Sequence, residues 1–255
     1  MYFIDTHSHL YLKDFSNDIA EVLVRAEEKN VKKIFFPAID SSTHEDMIVL
    51  EEKYPQTFKS MMGLHPCSVK ENFKDELKIV EDYLSKKQFI AIGEIGLDFY
   101  WDTNFVQQQY EAFNIQMQWA LERNMPIVIH TRNAMQETID AVKPFANKGL
   151  KGIFHCFGDT VEKAEQIITM GFLLGIGGVV TYKKSGLDET LKHIDLKHIV
   201  LETDAPYLTP VPFRGKRNES SYLELIATKV AEIKNVSLEE VKTITTSNAE
   251  KLFGC

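Results

Sequence analysis

The sequence predicts an α/β fold, a single (β/α)₈ barrel occupying residues 1–255. Three observations carry this. Short apolar runs alternate with amphipathic helical stretches from end to end, as in a parallel sheet with helical crossovers. There are eight such runs in 255 residues, close to the length of roughly 250 residues that this barrel typically uses. No Gly-rich phosphate loop follows the first run, which disfavours the runner-up, a doubly wound open sheet.

The strands are expected at Tyr2–Ile4, Lys33–Ala38, Ser60–Leu64, Phe89–Ile92, Ile127–Ile129, Gly152–Phe154, Phe172–Ile176 and His198–Leu201, each apolar enough to be buried on both faces. Helical spacing of apolar residues marks Ile19–Lys29, Glu45–Lys53, Glu76–Lys86, Val106–Arg123, Met135–Phe145, Val161–Met170 and Tyr222–Lys234. A last helix, Leu238–Phe253, follows Ser237 with Glu240 three residues on, the signature of a capping box. Composition does not shift along the chain, and no linker or repeat divides it. The longest stretch without periodicity is Thr203–Ser220, rich in proline and basic residues; a loop of that length inside a compact domain is usually functional.

Composition narrows the function. With 44% hydrophobic and 26% charged residues the chain is an ordinary globular one, not disordered, collagenous or disulfide-stapled. The net charge of −8 argues against a broad nucleic-acid-coating surface but leaves room for a local basic site. Three scattered cysteines, Cys67, Cys156 and Cys255, suit a reducing compartment. No secretory pattern opens the chain and no apolar run is long enough to span a bilayer, so a cytoplasmic location is expected.

The strand ends carry the chemistry. Ile4 leads into Asp5-Thr6-His7-Ser8-His9. Later strands lead into His65, Glu94, His130, His155 and Glu202-Thr203-Asp204. Five of the eight histidines therefore fall where a barrel gathers its active-site residues, at the carboxyl ends of its strands. His7 and His9 are two apart and share a strand face. Neutral imidazoles and carboxylates meeting on one rim are a recipe for one or two divalent cations. Taken singly, each has a plain structural reading as a core histidine, an ion-pair partner or, for Asp204, a turn residue. A single metal site accounts for all of them together. Cys156 is not read as a nucleophile beside His155, because adjacent strand residues point to opposite faces.

Around this rim, Arg132 offers a planar fork suited to phosphate, with His65 facing the same way. Arg214, Lys216 and Arg217 form a basic cluster on the long loop. Tyr100 and Trp101 follow Asp98 and are placed either to stack on a nucleobase or to pack the loop. Asp98 is read as orienting a ligand or pairing with a basic residue.

The segments IDTHSHL (residues 4–10), GEIGLDFY (93–100), IHTR (129–132), His155-Cys156-Phe157, ETDAP (202–206) and RGKRNE (214–219), with TTSNAEKLFG (245–254), together resemble the TatD family of metal-dependent deoxyribonucleases, amidohydrolase-like barrels. The resemblance spans the whole chain. It implies two metal ions: His7, His9 and Asp204 on one, His130 and His155 on the other, and Glu94 bridging. It also implies single-stranded DNA or strand ends as substrate. Three motifs depart from the pattern: Cys67 stands where relatives often have a second histidine, Gly158-Asp159 replaces Ser-Gly, and Ser220 replaces proline. The expected activity is phosphodiester hydrolysis in DNA by water that the metals activate. Asp204 is the expected proton acceptor and Glu94 its competitor. The alternatives are amide, lactone or small-phosphoester hydrolysis on the same metals, or a protein that only holds metal. Imidazole ligands favour Zn²⁺ or Mn²⁺, whereas the resemblance favours Mg²⁺.

Overall fold

The computed structural model describes residues 1–255. Eight strands, all paired in parallel, alternate with nine α-helices: β1 (Phe3–Asp5), α1 (Ile19–Glu28), β2 (Val31–Phe36), α2 (His44–Lys53), β3 (Phe58–Ser60), α3 (Phe73–Lys86), β4 (Ile92–Asp98), α4 (Val106–Arg123), β5 (Ile127–Arg132), α5 (Met135–Ala146), β6 (Gly152–Phe154), α6 (Val161–Thr169), β7 (Leu173–Ile176), α7 (Leu187–Lys192), β8 (Ile199–Leu201), α8 (Leu223–Lys234) and α9 (Leu238–Phe253).

The strands form two sheets, β1-β2-β3 and β4-β5-β6-β7-β8. Individual bonds rather than ladders join them at the two seams. Thr6 N–H donates to the Leu201 carbonyl at 3.1 Å, Met62 N–H to Ala91 at 3.2 Å and Gly93 N–H to Met62 at 3.1 Å. The inner packing shows the ring: Ile4, Phe35, Met61, Ala91, Val128, Ile153, Leu173 and Val200 come one from each strand or its flank and pack together, with Phe253 and Ala249 of α9 against them. This is the filled interior of an α/β barrel. A second, larger core lies outside the ring, between strands and helices.

Most expected elements stand where the periodicity put them; the outer bounds of α4, β6 and α9 coincide with the reading. Ser237 Oγ accepts from the Glu240 N–H at 3.1 Å, capping α9. Two differences matter. β4 lies over Ile92–Asp98 rather than Phe89–Ile92, because its polar members are buried and used. It can press against β5 because Gly96 has φ +149° and a Cβ there would lie 1.9 Å from the His130 carbonyl oxygen. The short α7 was not anticipated: six residues bury only Leu187, Thr190 and Leu191, too few to register as periodicity. No helix is long and apolar enough to cross a membrane.

Candidate metal centre

Period-two geometry delivers the cluster. β1 runs on into His7 and His9, β4 carries Glu94 and Asp98, β5 carries His130 and Arg132, His155 follows β6, and Glu202 and Asp204 follow β8. Glu94 is the hub and is 2% exposed. Its Oε2 lies 3.1 Å from His7 Nε2 and 3.7 Å from His9 Nε2. Its Oε1 lies 2.8 Å from His130 Nδ1, 2.9 Å from His155 Nε2 and 3.3 Å from His65 Nε2. Asp204 Oδ1 is 3.6 Å from His9 Nε2 and 3.7 Å from His7 Nε2. The His7 and His155 rings stack at 3.9 Å.

Hydrogen bonds behind the rings fix which nitrogen faces the cluster. The Tyr11 hydroxyl donates its one proton to the Pro37 carbonyl at 2.6 Å, so it accepts from His9 Nδ1–H at 2.9 Å and leaves the Nε2 lone pair facing inward. His130 Nε2–H donates to Asp98 Oδ2 at 2.8 Å, which turns Nδ1 toward Glu94. His65 is reversed. Its Nδ1 accepts from the Cys67 N–H at 3.1 Å, so its Nε2 carries the proton and points into the site as a donor. Glu202 stands behind His155, 3.5 Å from Nδ1, in space that Gly175 leaves open; a Cβ there would meet Glu202 Oε2 at 2.2 Å.

The Asp204 loop is held from below. Asp5 accepts from Thr203 N–H at 2.9 Å, Thr203 Oγ1 at 2.7 Å and Ser220 Oγ at 2.6 Å. Asn218 Nδ2 donates to the Thr203 and Tyr207 carbonyls, both at 2.7 Å. Asp204 itself takes a left-handed φ of +57°, a conformation that costs energy and is retained where the surroundings over-determine it.

Electrostatics follow from this crowding. Burial pushes Glu94 up, but the imidazoles of His155, His65 and His7 outweigh it and hold the carboxyl well below the usual carboxylate range. Burial likewise opposes Asp204 ionisation and is overcome by His9, His155 and His7, leaving it low. Burial and the neighbouring His155 lower His7, and burial lowers His65. For His130 and His155 burial is overcome by the adjacent carboxylates, and both are raised. The crowding thus favours the ionised carboxylates and sets imidazoles of lowered and raised basicity side by side.

These residues fit a divalent cation. His7 Nε2, which faces Glu94 Oε2 at 3.1 Å, is buried without a hydrogen bond of its own, an expensive state for a polar atom unless a ligand satisfies it. With its Nε2–H given to Asp98, His130 Nδ1 faces Glu94 Oε1 at 2.8 Å, an arrangement of two lone pairs that needs a proton or a cation between them. His7, His9 and Glu94 form one compact donor set; Glu94, His130 and His155 form another; His7, His155 and Asp204 form a third.

A model of the TatD related DNase family matches residues 4–254. The chain belongs to this family. As a TatD-family protein it is a metal-dependent hydrolase. It is 36% identical over 250 residues to the uncharacterized metal-dependent hydrolase YabD of Bacillus subtilis (strain 168), with 98% of each chain covered. It is 29% identical over 255 residues to the 3'-5' ssDNA/RNA exonuclease TatD of Pectobacterium carotovorum, again with 98% of each chain covered. Its fold matches the crystal structure of the TatD homologue YJJV from Escherichia coli K12 with a TM-score of 0.93 and 26% identity, covering 99% of this chain and 98% of that one.

The structure brings His7, His9, Glu94, His130, His155 and Asp204 into one cluster and adds His65 to it as a donor. Arg132 lies on the rim, its guanidinium 3.8 Å over the Tyr100 ring. Tyr100 and Trp101 are exposed beside it. Arg214 and Lys216 are exposed on the long loop. Arg217, expected with them as a substrate contact, is engaged within the protein. Its fork is bound by Asp18 at 2.8 and 2.6 Å, and Arg25 binds Glu219 at 2.8 and 2.6 Å. Residues 217–219 therefore anchor the loop to α1 and to the Asp204 segment. Cys156 is half-buried, and burial with the nearby Asp204, Glu202 and Glu94 carboxylates pushes its thiol well above its usual value, unsuited to a thiolate nucleophile.

Sequence reasoning missed Tyr11, which lies in the turn after His9, where strand spacing no longer says which way a side chain points. Tyr11→Phe removes the acceptor for His9 Nδ1–H and frees the ring to flip. Metal affinity is expected to fall about 10–100-fold, the usual cost of losing an outer partner of a metal-binding histidine. Competition with a chromophoric chelator measures it, and wild-type affinity in the variant would remove Tyr11 from the site.

Proposed function

We propose that the chain is one catalytic domain that hydrolyses phosphodiester bonds in DNA, releasing nucleotides from the ends of single strands with the help of two divalent cations. The observation that carries this reading is the division of Glu94. One carboxylate oxygen faces His7 and His9, and the other faces His130 and His155. A carboxylate so divided suits a bridging ligand. His7, His9 and Asp204 would hold one ion and His130 and His155 the other. When bound, Mg²⁺, Mn²⁺ or Zn²⁺ supplies Lewis acidity, lowering the pKa of a water toward about 7 and polarising a phosphoryl oxygen.

The chain's own groups divide the remaining work. Asp204 is the proton acceptor: both oxygens of Glu94 are engaged by imidazoles, whereas Asp204 has Oδ1 alone near His7 and His9, and its side chain is 13% exposed against 3% for Glu94. His65 Nε2–H donates to a non-bridging phosphoryl oxygen. Arg132 offers its fork to phosphate from the rim. The exposed Tyr100 and Trp101 present faces to an unpaired base. The Pectobacterium relative, a 3'-5' ssDNA/RNA exonuclease, supports the same substrate class, and the sparse cysteines suit work in the cytoplasm.

The test is release of end-labelled nucleotide from single-stranded DNA with Mg²⁺, Mn²⁺ or Zn²⁺, run beside RNA, small phosphoesters and lactones, with His130→Ala as control. Metal-dependent release from DNA that the control lacks is expected. Turnover of lactones or small phosphoesters without any nucleotide release would overturn the reading.

A further inference from the structure

Two arginine-on-aromatic stacks lie on the loops around the histidine–carboxylate cluster. The first lies on the loop after β4. Tyr100 and Trp101, 51% and 67% exposed, meet edge to face at 4.9 Å, and Arg132 lies 3.8 Å over the first ring and 5.2 Å from the second. Asp98 ties this stack to the cluster: Oδ1 accepts from the N–H groups of Tyr100 at 2.9 Å and Trp101 at 3.0 Å, while Oδ2 accepts from His130. The second stack lies beyond β7. Arg214 sits 4.4 Å over the Tyr182 ring, and the Tyr182 hydroxyl donates to the Thr209 carbonyl at 2.9 Å, pinning the ring to the Asp204 loop.

Strand order keeps the stacks apart. β4 and β5 carry the first, β7 and β8 the second, and β6, which delivers His155, runs between them. Their charge differs. Lys183 and Lys184 follow Tyr182, and Lys216 follows Arg214; all are exposed. None of these cations is paired with a carboxylate, in contrast to Arg25 and Arg217, which Glu219 and Asp18 hold. The first stack has Arg132 alone but offers the more exposed rings. A guanidinium lying flat on a ring keeps its N–H edge free for phosphate. In a chain of net charge −8 a local basic rim attracts a polyanion.

We propose that the two stacks are substrate subsites on opposite sides of the scissile bond. The Tyr100–Trp101–Arg132 stack takes the terminal nucleoside. The Tyr182–Arg214 stack, with Lys183, Lys184 and Lys216, carries the phosphates of the strand behind it. This rests on the phosphodiesterase reading above and adds its substrate class: a single strand extending beyond a dinucleotide, with its body over the β7–β8 rim.

The experiment measures kcat/KM on oligothymidylates from dinucleotide to decamer, with bis(p-nitrophenyl) phosphate as a small diester. Wild-type values should rise with length. Arg214→Ala and the double variant Lys183→Ala/Lys184→Ala should lose about tenfold on the decamer and little on the dinucleotide, the scale of one stacking or phosphate interaction. The double variant should also show a shallower salt dependence, by ~0.7 in log–log slope for each phosphate that a lysine no longer neutralises. Trp101→Ala should lower every length by the same factor. If Arg214→Ala lowers dinucleotide and decamer alike, or if wild-type cleavage does not depend on length, the subsite assignment is overturned and the nuclease reading stands. A wild-type enzyme that cleaves the small diester but no oligonucleotide overturns both.

Discussion

Glu94→Gln is expected to remove hydrolysis almost entirely, with a fall in kcat of at least about a thousandfold, equivalent to roughly 4 kcal/mol of transition-state stabilisation. The substitution keeps shape and burial but replaces one carboxylate oxygen by an NH₂ group. That group would face either the His7–His9 pair or the His130–His155 pair, and it has no lone pair to give a cation. It also removes the negative charge on which the imidazoles converge, at a residue 2% exposed where solvent cannot replace it. Activity under saturating Mn²⁺, read together with metal content by elemental analysis, checks both consequences. A variant that keeps its full metal complement and turns over within tenfold of the wild type would mean that Glu94 is not the hub.

The cluster was legible in the sequence because its members obey one local rule: each stands at or just past the end of an apolar run, where a parallel barrel exposes it on one rim. Two-residue spacing extended that rule from His7 to His9 and from Glu202 to Asp204. It failed at β4, since Gly93, Glu94, Gly96 and Asp98 do not look like a buried strand until their partners are known. The long loop was harder. Arg214, Lys216 and Arg217 read as one basic cluster, yet Arg217 finds Asp18 at the opposite end of the chain, 199 positions away. Charge spacing carries no trace of such a partner. The same holds for Tyr182 and Arg214, which meet only because the loops after β7 and β8 lie side by side. Ser220, a departure from the family pattern, also acquires its sense in three dimensions, as a third donor to Asp5 beneath the Asp204 loop.

Removing metal is expected to lower the melting temperature by roughly 5–10 °C, because a ligand at a hundred times its Kd contributes about 2.7 kcal/mol and a chain of this size shifts by about 2–4 °C per kcal/mol. The source of the effect is on the rim. Without a cation His7 Nε2, buried against Glu94, makes no hydrogen bond, and a proton must separate His130 Nδ1 from Glu94 Oε1. Binding replaces that proton, so uptake of metal should release acid into a weakly buffered solution. Differential scanning fluorimetry with chelator and then with added Mn²⁺ measures the stability change. Two substitutions separate ligands from donors. His155→Ala removes a nitrogen facing Glu94 and should abolish most of the metal-induced shift. His65→Ala should keep it, because His65 Nδ1 is occupied by the Cys67 N–H and Nε2 presents a proton rather than a lone pair. If the two variants lose the shift equally, His65 is a ligand in its other tautomer and its assignment as a phosphate donor fails.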